Sequence, residues 1–339
     1  MGIRPLPRNG QVRDNPHMAA LPEWAVPGIV DLRNLAVERL ESVLAEETGI
    51  WLERLNWDFR PSADLVRRFV RMQSLNGYAL VSGNRAIGYT YFVCEDNKGL
   101  IGDLYVLRQF ASVENEHLLL EAALEALVTT PFVHRVECQL MILGSCFDRQ
   151  LPRPSVARRH RRVFMTLDLA RVAALPPGRA ADLVRIEEWS ERVQEDAAAV
   201  IARSYEGHID SEINDQYRSL PGARRFLGNI IQYPGCGSFF QPASLVATHA
   251  GSGRLCGICL TSLVAAEVGH ITQICVDTTL RGSGIGYELL RRSLAAMADY
   301  GCRQTSLTVT AANVDAIRLY ERMGFVIQRQ FAAYVWDSF

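Results

Sequence analysis

Three glycines in one short turn, Arg281-Gly-Ser-Gly-Ile-Gly286, are the residues of this chain best suited to hold an anion. They follow an apolar run, His270–Val276, that reads as a strand, and they precede Tyr287–Met297, whose apolar residues recur at helical spacing. Without Cβ atoms, Gly282, Gly284 and Gly286 let the backbone approach an anion closely. The helix behind them aims unpaired N–H groups and its positive dipole end at the same point. A pyrophosphate held there needs no lysine. A lone glycine turn also serves as a tight strand-to-helix connection, so the turn acquires chemical meaning only from its surroundings. The two commoner nucleotide fingerprints do not fit. No Lys-Ser/Thr follows the turn, and Gly282-Ser-Gly-Ile-Gly286-Tyr287 offers no small residue where the dinucleotide pattern needs its third glycine.

A second strand-like run, Thr305–Thr310, comes next, followed by Asn313-Val-Asp-Ala-Ile-Arg-Leu-Tyr320-Glu-Arg-Met-Gly-Phe325. An Arg-x-x-Gly-x-Gly turn after a short apolar strand, with Asn-x-x-Ala-x-x-Leu-Tyr-x-x-x-Gly-Phe downstream, resembles the GCN5-related N-acetyltransferase superfamily across residues 244–336. The resemblance implies acetyl-CoA as cofactor, lying in a cleft splayed open between two parallel strands. It implies that the strand Ile274, Cys275 and Val276 holds the pantetheine arm. Arg281, Gly282, Ser283, Gly284, Ile285, Gly286 and Tyr287 would take the pyrophosphate through their amides, and Asn313 would touch the pantetheine side. Tyr320 stands where the family places a hydroxyl able to protonate the departing thiolate.

The general base is less plainly written. The family commonly uses a carboxylate on the strand before the glycine turn, whereas this chain has His270 and Thr272 at alternate positions there, with Glu267 just ahead. A histidine suits the task because its ordinary pKa, ~6.5, is close to operating pH, and Glu267 is the second candidate. For the acceptor, the segment Ser204–Tyr217 is rich in groups able to bind a polar amine: Glu206, His208, Asp210, Glu212 and Tyr217, with Thr272 on the strand also able to face the acceptor. The same segment also reads as a solvated surface. Gly235–Phe239 is a second candidate wall.

Composition sets the outer bounds. The chain has 339 residues, enough for two domains, and its 48% hydrophobic and 22% charged content is that of a globular protein. A net charge of −1 supplies no footprint for nucleic acid or an anionic membrane. The basic run Arg158–Arg162 reads as a solvated connection between domains. Eight scattered cysteines suit reduced, buried thiols, and Cys256-Gly-Ile-Cys259, lacking a partner pair, reads as core packing with no metal implied. With no apolar run of ~18–20 residues and no signal-peptide core, the expected location is the cytoplasm.

These residues must be positioned by a fold, and the order of elements suggests a duplicated one. Residues 1–25 read as a tail or strap punctuated by Pro5, Pro7 and Pro16. Strand and helix patterns then run to Ala170, a break follows at Leu175-Pro-Pro-Gly178, and the order begins again at Asp182. Shifting by 170 places Leu104-Tyr-Val106 on Ile274-Cys-Val276, and Leu119, Leu120 and Leu124 on Leu289, Leu290 and Leu294. The chemistry is not repeated: Ala111, Glu114 and Glu116 fall where Arg281, Gly284 and Gly286 stand, and Gln150 falls on Tyr320. The expected architecture is therefore α/β, two tandem domains of the superfamily's type in a layout resembling the mycothiol synthase type. Each would be a mostly antiparallel sheet splayed between two parallel central strands and flanked by helices. Residues 26–175 would form a degenerate copy without cofactor binding, and 180–339 the catalytic copy. The expected activity is transfer of acetyl from acetyl-CoA to a primary amine of a small molecule or peptide, by direct attack in a ternary complex, in a monomer or homodimer. Two alternatives stay open: an acyl-CoA sensor or scaffold, and a transferase using a longer acyl-CoA.

Overall fold

The computed structural model describes residues 27–144, 146–180, 182–233, 235 and 237–339, so the expected tail 1–25 and Cys236 of the second candidate wall lie outside the described residues. The first half contains strands β1 (Gly28–Asp31), β2 (Gly77–Ser82), β3 (Arg85–Glu95), β4 (Lys98–Val106), β5 (Arg135–Gln139) and β6 (Ala157–Asp168), with helices α1 (Glu41–Leu55), α2 (Arg60–Arg71) and α3 (Val113–Val128). The second half contains β7 (Val184–Glu188), β8 (Ser238–Phe239), β9 (Leu245–His249), β10 (Leu255–Ala265), β11 (Val268–Val276), β12 (Gln304–Thr310) and β13 (Val326–Asp337). Its helices are α4 (Gln194–Ser204), α5 (Asp210–Ile213), α6 (Leu220–Gln232), α7 (Ile285–Tyr300) and α8 (Val314–Arg322).

Among the described residues, all thirteen strands join one sheet in the order β1-β2-β3-β4-β5-β13-β6-β12-β11-β10-β9-β7, with β8 against β10. The duplication is exact in the central elements, since β3 and β4 are matched by β10 and β11 at a displacement of 170 residues. In each half the two central strands run parallel for only four residue pairs. Lys98–Ile101 pair with Arg135–Cys138, and Val268–Ile271 pair with Gln304–Leu307. Beyond those pairs β4 and β11 part from their neighbours, which is the expected splay.

The last strands are exchanged between the halves. β6, the end of the first repeat, pairs along β12 from Asp168↔Gln304 to Arg162↔Thr310. β13, the end of the second repeat, pairs with β5, and β6 and β13 pair with each other at the centre. The sheet is therefore palindromic about the β6–β13 pair. This corrects the expectation that the halves divide at residues 175–180: β6 lies on the near side of that boundary but within the sheet of the second half. It also corrects the basic run. Arg158–Arg162 is part of β6 rather than a connection, although Arg158, Arg159 and Arg161 are solvent-exposed.

Core packing follows the exchange. Phe331, Tyr334 and Trp336 of β13 are buried in the core of the first half with Leu119, Leu124 and Val136. Met165 and Leu167 of β6 are buried in that of the second half with Leu289, Leu294 and Leu307. Cys256 and Cys259 lie in this second core, where the Cys256 thiol donates to the Ala247 carbonyl at 3.3 Å. Among the described residues, no helix is long and apolar enough to cross a membrane.

Candidate active site between β11 and β12

The parting of β11 from β12 opens a cavity of about 1030 Å³ whose floor is Thr272–Val276 and whose far wall is Leu307–Val309. A bulge in the β10–β11 pairing at Thr272 sets the phase of this floor, because Thr261 pairs with Ile271 and Leu260 with Gln273. One extra residue reverses the alternation. Gly269 and Ile271 before the bulge, and Ile274 and Val276 after it, therefore approach α7. Gln273 and Cys275 turn to the α4 side, where the Gln273 amide donates to the Tyr205 hydroxyl at 2.8 Å.

At the open end of β11 the chain turns through Arg281–Gly284 into α7. Gly282 and Gly284 have φ of +78° and +90°, backbone conformations that a side chain strains, which is why glycine is needed at both. Gly284 is the N-cap of α7 and no side chain caps the helix, so its first amides stay free to meet an anion. The first repeat differs at the equivalent place. Ser112 caps α3 by accepting from the Asn115 amide at 3.1 Å, Glu114 occupies the first turn, and Glu116 is buried in an ion pair with Arg149.

The residues singled out in the sequence separate cleanly. Ile274, Cys275, Val276, Arg281, Gly282, Gly284, Ile285, Gly286, Tyr287, Asn313 and Tyr320 all line the cavity, as do His208, Asp210, Tyr217 and Thr272. Ser283 does not: its hydroxyl turns back to donate to the Leu280 carbonyl at 2.6 Å. Glu206 is exposed and outside the lining. His270 and Glu267 also stand apart, which corrects both as candidate bases. His270 sits where β11 is still paired with β12, opposite Ser306, before the strands part. It is buried under Trp57 with its ring 4.8 Å from the indole and its Nδ1 2.9 Å from the Ser306 hydroxyl. Burial, with a smaller contribution from Arg162, pushes its pKa down to about 3, so the ring is neutral and structural at neutral pH. Glu267 lies beyond the closed end of β11, on the surface, paired with Arg303 at 3.1 Å.

Tyr320 projects from α8 into the cavity and is only 7% exposed. Burial raises its pKa above the ordinary phenol value, with Cys259 and Asp210 adding to the shift and Arg162 opposing it. The hydroxyl therefore keeps its proton at neutral pH. Asn313 caps α8 and its amide lies 3.4 Å from the His208 Nε2, which brings two separately identified residues together.

The acceptor-facing wall is a polar network. His208 Nδ1 accepts from the Asp210 amide at 3.1 Å and lies 3.8 Å from the Asp210 carboxylate. Thr310 donates to Asp210, and Arg162 approaches that carboxylate at 3.6 Å while donating to Thr308 at 3.0 Å and Thr310 at 3.3 Å. Burial lowers the His208 pKa below the ordinary value, Asp210 opposes this and Arg281 adds to it, so the neutral imidazole is favoured. Tyr205 and Tyr217 stack at 4.3 Å beside it. Arg162, Tyr205, Gln273 and Thr308 line the cavity without having been singled out in the sequence. For Arg162 a signal was available: it opens the strand-like run Arg162–Ala170, and every second residue of a strand goes to one face. Which cleft that face meets depends on the strand exchange.

A model of the acetyltransferase (GNAT) family matches residues 212–325. A protein named mycothiol acetyltransferase from Acidimicrobium ferrooxidans is 34% identical over 103 residues, covering 29% of this chain and 33% of the relative, so the chain spans about a third of that relative's length. Among solved structures, a GCN5-related N-acetyltransferase from Sphaerobacter thermophilus superposes with a TM-score of 0.60 at 17% identity, covering 91% of this chain and 95% of that one. A tandem GNAT protein from the clavulanic acid biosynthesis pathway superposes with a TM-score of 0.55 at 15% identity, covering 93% and 99%. These two likenesses are of fold. The family match marks residues 212–325 as a GNAT acetyltransferase domain, and the two likenesses show that the chain around it has a tandem GNAT fold.

Proposed function

We propose that this protein is an acetyl-CoA-dependent N-acetyltransferase that passes acetyl to a primary amine of a small molecule or peptide within a ternary complex. The observation that carries the reading is one cavity holding three things: the freed edge of β11, the uncapped N-terminus of α7 behind two left-handed glycines, and the Tyr320 hydroxyl. The residues present fit the cofactor. Backbone of Ile274–Val276 suits the amides of the pantetheine arm, and the amides of Gly282–Tyr287, with Arg281 at the rim, suit a pyrophosphate. Arg281 is held in place by its bond to the Ser204 carbonyl at 2.6 Å.

The chain's residues then have distinct tasks. The amine nitrogen forms a bond to the thioester carbonyl carbon as the carbon–sulfur bond breaks. The proton leaving the nitrogen needs an acceptor, and the proton arriving at sulfur needs a donor. Tyr320, holding its proton at neutral pH, serves the sulfur. His208, neutral and half-buried beside Asp210 and Asn313, is the group in the cavity best suited to take the amine proton, directly or through water, at Nδ1 once that nitrogen gives up its bond from the Asp210 amide. The first repeat, whose α3 is capped by Ser112 and carries Glu114 in its first turn, offers no open anion site, and its part is to build the acceptor side.

The pH–rate profile tests His208. Because its pKa lies below the ordinary histidine value, it is unprotonated and active at neutral pH, and activity falls only as acidification protonates it. The acid inflection is expected below pH ~6.5, and His208→Asn is expected to lower kcat roughly 100-fold and to remove that inflection. An unchanged inflection in His208→Asn would assign the base elsewhere.

A further inference from the structure

The segment 208–218, which carries the acceptor-facing residues, is held from below by the first repeat. Lys98 at the start of β4 is 4% exposed and its ammonium lies 2.5 Å from Asp215 and 3.2 Å from Glu137. Arg135 of β5, 5% exposed, donates to Glu137 at 2.6 Å, to Asp337 of β13 at 2.6 Å, and to the Glu212 carbonyl. Glu137 in turn accepts from the Asp215 amide at 3.0 Å. Two further contacts extend the grip: Gln216 donates to Glu95 at 2.9 Å, and Arg225 of α6 pairs with Asp96 at 2.5 Å. All of the anchoring residues belong to the β3–β4 hairpin, β5 or the exchanged β13.

We propose that Lys98, Arg135 and Glu137 are positioning residues that hold segment 208–218 against the sheet, and so place His208, Asp210 and Tyr217 for the acceptor. Three features support this. None of the three groups lines the cavity, and their bonds run to each other, to Asp337 and to the segment. Their bonds to the segment reach its backbone at Glu212 and Asp215, which fixes the path of the chain and not merely a side chain. Arg162 of β6 meets Asp210 from the same side of the sheet, so the segment is held at both ends, by strands of the first repeat. A charge this deeply buried is costly unless paired, and the shortest of the pairs that satisfy Lys98, the one to Asp215, requires the segment in this one place. The first repeat thus keeps a role in the reaction after its own anion site is lost.

This inference rests on reading segment 208–218 as the acceptor wall, but its test does not require turnover. Hydrogen exchange of the full-length protein, followed by mass spectrometry, reads the segment directly, and coenzyme A binding by calorimetry reads the cofactor side. Lys98→Met is expected to raise exchange of amides 208–218 roughly tenfold or more while β4, β5 and α3 keep their protection and coenzyme A affinity stays within about twofold. Lys98→Arg is expected to restore the protection. Asp215→Asn breaks the same contact from the segment itself, and keeps the test open if Lys98→Met does not fold. Unchanged exchange in the segment overturns the proposal. So does exchange that rises equally across β4, β5 and α3, which would mark the cluster as support for the first repeat alone. If acetyl transfer to amines were never detected but the segment loosened as described, the anchoring would stand and the acceptor reading would fall.

Discussion

Tyr320→Phe is expected to lower kcat about 100-fold, with the affinity for coenzyme A unchanged within about twofold. The substitution removes one oxygen from a ring otherwise held by packing against Phe325, 5.8 Å away, so cavity shape is kept. What is lost is a proton donor whose raised pKa makes it protonated throughout the working range. A loss confined to kcat identifies an interaction made in the transition state rather than in substrate binding. The loss should shrink for an acyl donor whose leaving thiol is more acidic, since a better leaving group needs less help. Steady-state kinetics with calorimetry decides the matter, and full turnover in Tyr320→Phe would remove the residue from the mechanism.

A second large effect is expected from dividing the protein at the proline-rich break. A fragment of residues 180–339 contains every motif of the family, yet it lacks β6 and so exposes the whole edge of β12 from Gln304 to Thr310. It also carries Phe331, Tyr334 and Trp336, whose burial belongs to the core of the absent half at about 1.5–3 kcal/mol each. An open edge beside exposed aromatics favours association over folding. The fragment is expected to be aggregated or unfolded by size-exclusion chromatography and circular dichroism, and not to bind coenzyme A. A soluble, folded monomer that binds coenzyme A would contradict the exchange of strands.

Those two effects also mark where the sequence was legible. The stretch 268–325 could be read because its information is local: a strand, a glycine turn with required positive φ, and residues one helical turn apart on α8. The repeat could be read too, since displacement by 170 residues aligned the strand before the turn with its echo. The pairing of β13 could not. Its apolar run Phe331–Trp336 is compatible with a strand, but choosing β5 and β6 as neighbours is a long-range matter that no periodicity encodes. Two errors have the same origin. Charge density alone makes Arg158–Arg162 read as a connection, whereas its strand partners, and the cover of Arg162 by β12 and segment 208–218, are long-range. His270 looked aimed at the acceptor because alternation was counted along an ideal strand, whereas the parallel pairing stays closed through Ile271 and the bulge at Thr272 resets the phase.

The most direct test is release of free thiol from acetyl-CoA, measured across amino sugars, polyamines, aminoglycosides, amino acids and peptide N-termini. At least one amine is expected to accelerate thiol release over the amine-free rate and to yield one N-acetylated product per thiol. With Gly284→Val, which forces a side chain into a backbone at φ +90°, both acceleration and coenzyme A binding should be lost. Tight binding of acetyl-CoA by the unaltered protein, with no amine in any class speeding thiol release, would contradict an acetyltransferase and leave a cofactor-binding protein in its place.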